Sequence, residues 1–130
     1  MVKLLLIAAG GACGTLSRYG VGRAMRRLGA GFPWGTLCVN LGGSLLIGLL
    51  AGVQMHLTDS PRIRLLTALS ITGFLGAFTT FSAFSLESLS LIRNDRLALA
   101  GANVLANCVG GLLLAFAGLW LSRYFVGVAK

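Results

Sequence analysis

Residues 73–89 read GFLGAFTTFSAFSLESL. The segment is apolar enough to lie in a membrane, yet it carries punctuation that a plain hydrophobic helix does not need. Gly73 and Gly76 supply backbone freedom, and just after them the hydroxyls of Thr79 and Thr80 compete for backbone partners. The pattern predicts a helix broken near its middle. Breaking a membrane helix frees backbone groups, which is tolerated only where protein, water or an ion receives them. Freed carbonyls favour a cation, whereas freed N–H groups and hydroxyls favour an anion. Phe78, Phe81 and Phe84 recur every three residues beyond Phe74, with Ser82 between the last two. Packing is the ordinary role of such rings, but their edges are positive and can meet a small anion without a full positive charge. Weak contacts of that kind suit conduction, which must bind an ion without trapping it.

The rest of the chain supplies the setting. Of 130 residues, 56% are hydrophobic and only 11% charged, too few charges to cover a soluble domain. We therefore read residues 1–130 as one all-α integral membrane domain of four transmembrane helices, spanning about 3–22, 33–55, 64–90 and 96–122, with the third helix broken. The first charge-free run, residues 4–17, is short and must continue past Arg18; a cleaved signal peptide is the alternative reading. The connection near 22–33, with Arg23, Arg26 and Arg27, has room for a short helix or amphipathic turn. The net charge of +8 points to lipid headgroups rather than nucleic acid, because the basic residues flank the apolar runs. Cys13, Cys38 and Cys108 have no metal-ligand spacing and read as small buried hydrophobes.

Four spans put both termini and the middle loop on one side. That side carries Lys3, Arg62, Arg64, Arg123 and Lys130; the other carries Arg18, Arg23, Arg26, Arg27, Arg93 and Arg96. Five charges against six gives almost no orientation bias. Insertion in both orientations is one outcome, with pairing through an antiparallel two-fold interface; a single orientation set by other features is the other. Gly10 with Gly14, Gly48 with Gly52, and Gly42, Gly43 and Ser44 provide small faces for close helix contact. So small a bundle encloses little space, which favours an oligomer for any polar route.

Three asparagines interrupt the apolar spans. Asn40 lies in the second, and Asn103 and Asn107 stand one turn apart in the fourth. Interhelical hydrogen bonding accounts for any one of them; together they outline a polar path whose amide donors suit an anion. Arg18 either snorkels to headgroups or raises the anion concentration in a vestibule. Glu87 closes the opening segment as a cap, an ion partner or a proton carrier.

The stretches GGACGTLSRY (10–19), WGTLCVNLGGSLLIG (34–48) and GFLGAFTTFSAFS (73–85), in this order, resemble the small fluoride channels of the Fluc, or CrcB, family; ANVLANCVGGLLL (102–114) is compatible with it. The resemblance implies an antiparallel, dual-topology homodimer with two fluoride pathways in the bacterial inner membrane. It implies fluoride-facing rings at Phe81 and Phe84, with Thr80 and Ser82 beside them, the pore asparagine at Asn40 and the first-helix arginine at Arg18. It also implies a structural sodium ion at the dimer centre, held by the Gly76 and Thr79 carbonyls. Ala83 replaces a hydroxyl common in the family, and Asn103 and Asn107 stand where the family has a hydroxyl-rich track. The expected function is passive export of fluoride, a toxic anion, without chemistry. A proton-coupled, dual-topology exporter using Glu87 and a purely structural membrane protein are the alternatives. An enzyme is disfavoured, since the chain has one histidine, His56, and no close ligand cluster.

Overall fold

The computed structural model describes residues 1–29, 31–57 and 59–127; Lys130, one of the charges counted above, lies outside them. Among the described residues four helices are long and apolar enough to cross a membrane: Val2–Leu28, Trp34–Gln54, Pro61–Arg93 and Leu97–Tyr124. The first continues as α-helix to Met25 and ends in a tight turn, Arg26–Leu28. Arg23 therefore belongs to the span itself, while Arg26 and Arg27 lie in the turn. Before the third span, the Ser60 side chain accepts a 3.3 Å hydrogen bond from the Ile63 N–H, and Pro61 opens the helix where no N–H partner is needed.

Packing is pairwise and rests on absent side chains. The first span lies on the first half of the third, and the second lies on the fourth. A Cβ on Gly10 would collide with the Leu69 carbonyl, and one on Gly14 with that of Phe74. Across the other pair, a Cβ on Gly48 would strike the Ala115 carbonyl and one on Gly118 that of Leu45. Backbone contact of this kind supplies dispersion where lipid offers no hydrophobic drive between helices. Gly43 is buried against the Thr79 methyl, whereas Gly42 faces open space. In the first span only Gly10 and Gly14 are buried; most of its apolar side chains are exposed, with Leu6, Ile7, Val21 and Met25 half-buried. The three cysteines depart from expectation: all are exposed on this chain, because the inward helix faces are taken by glycine and by residues such as Leu37 and Val39.

The third span breaks where its sequence predicts. Residues 68–75 form a wide π-type turn, followed by one turn of α-helix to Phe78. Thr79 then becomes extended (φ −76°, ψ 156°), as does Thr80 (φ −151°, ψ 111°). Each threonine acts as anticipated. Thr79 Oγ1 donates back to the Leu75 carbonyl at 3.0 Å, and Thr80 Oγ1 accepts the Ala83 N–H at 3.2 Å, starting the second half of the span, Phe81–Arg93. The fourth span also widens, over Ala106–Gly110. Such wide turns re-aim side chains, and this one carries Asn107.

Candidate functional site

The break is completed by a side chain from another helix. The Thr80 N–H, freed from its helical acceptor, donates to Asn40 Oδ1 at 2.8 Å, and Asn40 Nδ2 donates to the Thr80 carbonyl at 3.2 Å. One amide thus replaces the backbone partners that the break removes. Asn40 Nδ2 also donates to Asn107 Oδ1 at 2.8 Å. Asn107 Nδ2 reaches both the carbonyl and Oδ1 of Asn103, each at 3.0 Å. Asn103, with no exposed surface, donates to Ser88 Oγ at 2.9 Å, and Ser88 Oγ donates to the Phe84 carbonyl at 2.8 Å. The result is a continuous ladder, Thr80–Asn40–Asn107–Asn103–Ser88–Phe84, crossing three spans.

Beside this ladder lies an open cleft of about 590 Å³, whose lining includes Asn40, Gly76, Thr79, Phe81, Phe84 and Asn107. Phe81 and Phe84 touch as a tilted pair, with ring centroids 5.4 Å apart and planes at 58°. Their environments differ sharply: Phe84 is 7% exposed and Phe81 is 77% exposed. The aromatic pair therefore runs from the interior of the helix bundle to its outer face.

A second cavity, of about 450 Å³, lies on the other side of the break and is lined by Arg18, Thr36, Thr80, Ser82 and Ala83 among others. Arg18 is half-buried there, and its guanidinium donates to the Thr79 carbonyl at 3.4 Å. Thr80 and Ser82 hydroxyls are 3.3 Å apart. Glu87 belongs to a third cavity, of about 550 Å³, with Phe32, Asn94 and Arg96. Its Oε1 accepts a 2.7 Å hydrogen bond from Thr36 Oγ1, and its buried Oε2 has no partner.

A structural cation at Gly76 and Thr79 can be tested against the donors present. The Thr80 N–H that would ordinarily engage the Gly76 carbonyl is committed to Asn40, so that carbonyl is free of its helical partner. Gly76 is also exposed on this chain. The Thr79 carbonyl has one long contact, from Arg18. Two neutral carbonyls fit a hard monovalent cation in kind and make only part of a shell. No grouping of three His, Cys, Asp or Glu exists among the described residues.

The structure brings Asn40, Thr80, Asn103 and Asn107 into one network and puts Phe81, Phe84, Gly76 and Thr79 around the neighbouring cleft. Arg18 and Ser82 share the second cavity, and Glu87 lines the third, joined to the wall of the second by its hydrogen bond from Thr36. Sequence reasoning missed Ser88 and Thr36. Ser88 follows Phe84 by one helical turn, a spacing that marks the same helix face, but nothing along the chain points it at Asn103.

These features define a small multi-pass membrane protein in which a broken helix and a polar ladder open onto the surface of the chain. Residues 5–119 match the family described as CrcB-like protein, Camphor Resistance (CrcB), and the chain belongs to that family. Among curated relatives, the fluoride-specific ion channel FluC of Agrobacterium fabrum is 47% identical over 125 residues, covering 95% of this chain and 98% of the relative. The protein of the same name from Rhizobium etli is 47% identical over 129 residues, with 97% and 100% covered. That of Rhizobium meliloti is 46% identical over 128 residues, again with 97% and 100% covered.

Proposed function

We propose that this chain is a fluoride-specific ion channel of the bacterial inner membrane, built from one four-helix transmembrane unit and working as an antiparallel homodimer. The observation that carries the reading is the aromatic pair at the break, buried at Phe84 and exposed at Phe81, with the asparagine ladder beside it. A ring left 77% exposed next to polar groups is half of a pathway, and a second copy supplies the other half. Two-fold pairing also brings together the exposed Gly76 carbonyls, and the near-equal charge counts permit the opposed orientations that such pairing needs.

Export then needs no chemical step. Hydrogen fluoride that has entered the cell dissociates at near-neutral pH, and the anion leaves down its electrochemical gradient. Arg18, half-buried in the second cavity, holds a permanent positive charge near the break and draws the anion toward it. Thr80 and Ser82 offer hydroxyl donors. Phe81 and Phe84 then offer ring edges, and Asn40, Asn107 and Asn103 offer amides along the ladder. The weakness of each contact is what lets the ion move on. A sodium ion held by the Gly76 and Thr79 carbonyls of both copies would supply fixed positive charge at the dimer centre. Glu87, tied to Thr36, lines the neighbouring cavity and would set the field at one mouth.

The test is flux from liposomes loaded with potassium fluoride, with a potassium ionophore carrying the compensating charge. Fluoride should leave rapidly and chloride scarcely at all. Correctly folded protein that shows no electrogenic fluoride efflux would overturn the assignment.

A further inference from the structure

The polar ladder leaves one strongly charged feature of the molecule unused. At the end of the first span, Arg23, Arg26 and Arg27 line a surface recess of about 620 Å³ with Gly20 and Ala24. None of the three is in an ion pair; among the described residues the one salt bridge is Arg64–Asp59, 2.8 Å, at the opposite end of the bundle. Three guanidiniums within five residues repel one another, so the recess favours an anion of compensating charge.

Its shape narrows the choice. Gly20 has no atom within 4 Å of where a Cβ would stand, leaving a notch one turn below Arg23 and Ala24. On the membrane side of the notch the same helix face continues through Leu16, 70% exposed, and Tyr19, 60% exposed. An apolar strip, a notch and a guanidinium cluster therefore follow one another along a single helix face. A free oxyanion would use only the last of these. We propose that this recess binds the headgroup of an anionic glycerophospholipid: the phosphate sits between Arg23 and Arg27, the glycerol region lies in the Gly20 notch, and an acyl chain runs along Tyr19 and Leu16. Arginine forks match phosphate oxygens bidentately, and a position just outside the apolar core is where such headgroups lie. The proposal does not depend on which ion the chain conducts.

Binding would be measured by native mass spectrometry on protein exchanged into neutral phosphatidylcholine micelles and titrated with phosphatidylglycerol. Each arginine near an anionic headgroup contributes roughly fivefold in affinity, so a triple R23Q/R26Q/R27Q variant should bind about a hundredfold more weakly. A matched R62Q/R64Q/R123Q variant, altered at the other end, should keep tight binding. Gly20→Leu fills the notch without changing charge and should also weaken binding; Gly101→Leu, a substitution at another open glycine, controls for folding. Equal losses in the two triple variants would overturn the proposal, since they would mean diffuse charge attraction. Unchanged binding in Gly20→Leu would overturn it too. So would full competition by inorganic phosphate at the concentration of the lipid, because the recess would then be a free-anion site.

Discussion

Replacing Asn40 by alanine tests the ladder at its most connected point. The side chain makes three hydrogen bonds: to the Thr80 carbonyl at 3.2 Å, to Asn107 Oδ1 at 2.8 Å, and from the Thr80 N–H at 2.8 Å. Hydrogen bonds between membrane helices average about 0.6 kcal/mol, so losing three removes about 2 kcal/mol. The Thr80 N–H is a special case. It lies at the break, where the chain is extended and no helical acceptor remains, and leaving it unpaired adds about 1–3 kcal/mol unless water enters. Asn40→Ala should therefore destabilise the fold by about 3–5 kcal/mol, read from reversible unfolding in mixed detergent micelles. Asn40→Asp keeps an acceptor for the Thr80 N–H, but its second oxygen meets the Thr80 carbonyl and Asn107 Oδ1, both acceptors, and it adds negative charge beside the cleft. It should therefore recover little of the lost stability. Fluoride efflux from liposomes should fall at least tenfold in both variants. If Asn40→Ala unfolds like the parent and conducts at full rate, the ladder neither braces the break nor lines a path.

The two rings and the glycine seams give further predictions. Phe84→Ile should lower stability by about 1–2 kcal/mol because the ring is buried, whereas Phe81→Ile, changing an exposed ring, should leave subunit folding within about 0.5 kcal/mol; both should stop fluoride flux. Full flux in both single variants would remove the rings from the pathway. Gly10→Ala drives a methyl into the Leu69 carbonyl and should cost about 1–3 kcal/mol, while Gly101→Ala, with open space around it, should gain up to about 1 kcal/mol in helix propensity. Equal effects of the two on thermal unfolding would contradict the backbone contact between the first and third spans.

Much of the architecture was legible because the membrane makes simple demands. Length and hydropathy alone mark four spans, and Thr79 and Thr80 mark the break, since their hydroxyls act locally on the backbone; Gly76 keeps ordinary helical angles (φ −61°, ψ −31°) and Gly73 serves close packing instead. Pairing order was not legible. Gly10, Gly14, Gly48 and Gly118 all look like small residues on helix faces, and only the fold shows that the first two meet the third span while the last two join the second to the fourth. Gly42 carries the same local signal as Gly43, yet a Cβ there would meet nothing within 4 Å. The cysteines were misread for the converse reason. In a soluble core an apolar neighbourhood means burial, but in lipid an outward-facing small residue has apolar neighbours as well.

The site shows a sharper limit. Amides at Asn40, Asn103 and Asn107 announce a polar path by their cost in a membrane, and the structure joins them. What spacing alone cannot show is how many of their donors are already committed. Both Asn40 amide hydrogens are engaged, one by the Thr80 carbonyl and the other by Asn107, and Asn107 Nδ2 is engaged by Asn103. On the proposed pathway an anion arriving at Asn40 would gain an N–H only by displacing the Thr80 carbonyl or Asn107 Oδ1. The edges of Phe81 and Phe84 and the hydroxyls near Thr80 carry no such competing obligation to the ladder. On the proposed pathway, readiness to receive an anion would lie first with the rings and hydroxyls, with the amides exchanging partners as it passes. That ordering would account for one segment combining a helix break with spaced aromatics: Asn40 braces the break, and the rings would supply the weak contacts that a committed amide cannot.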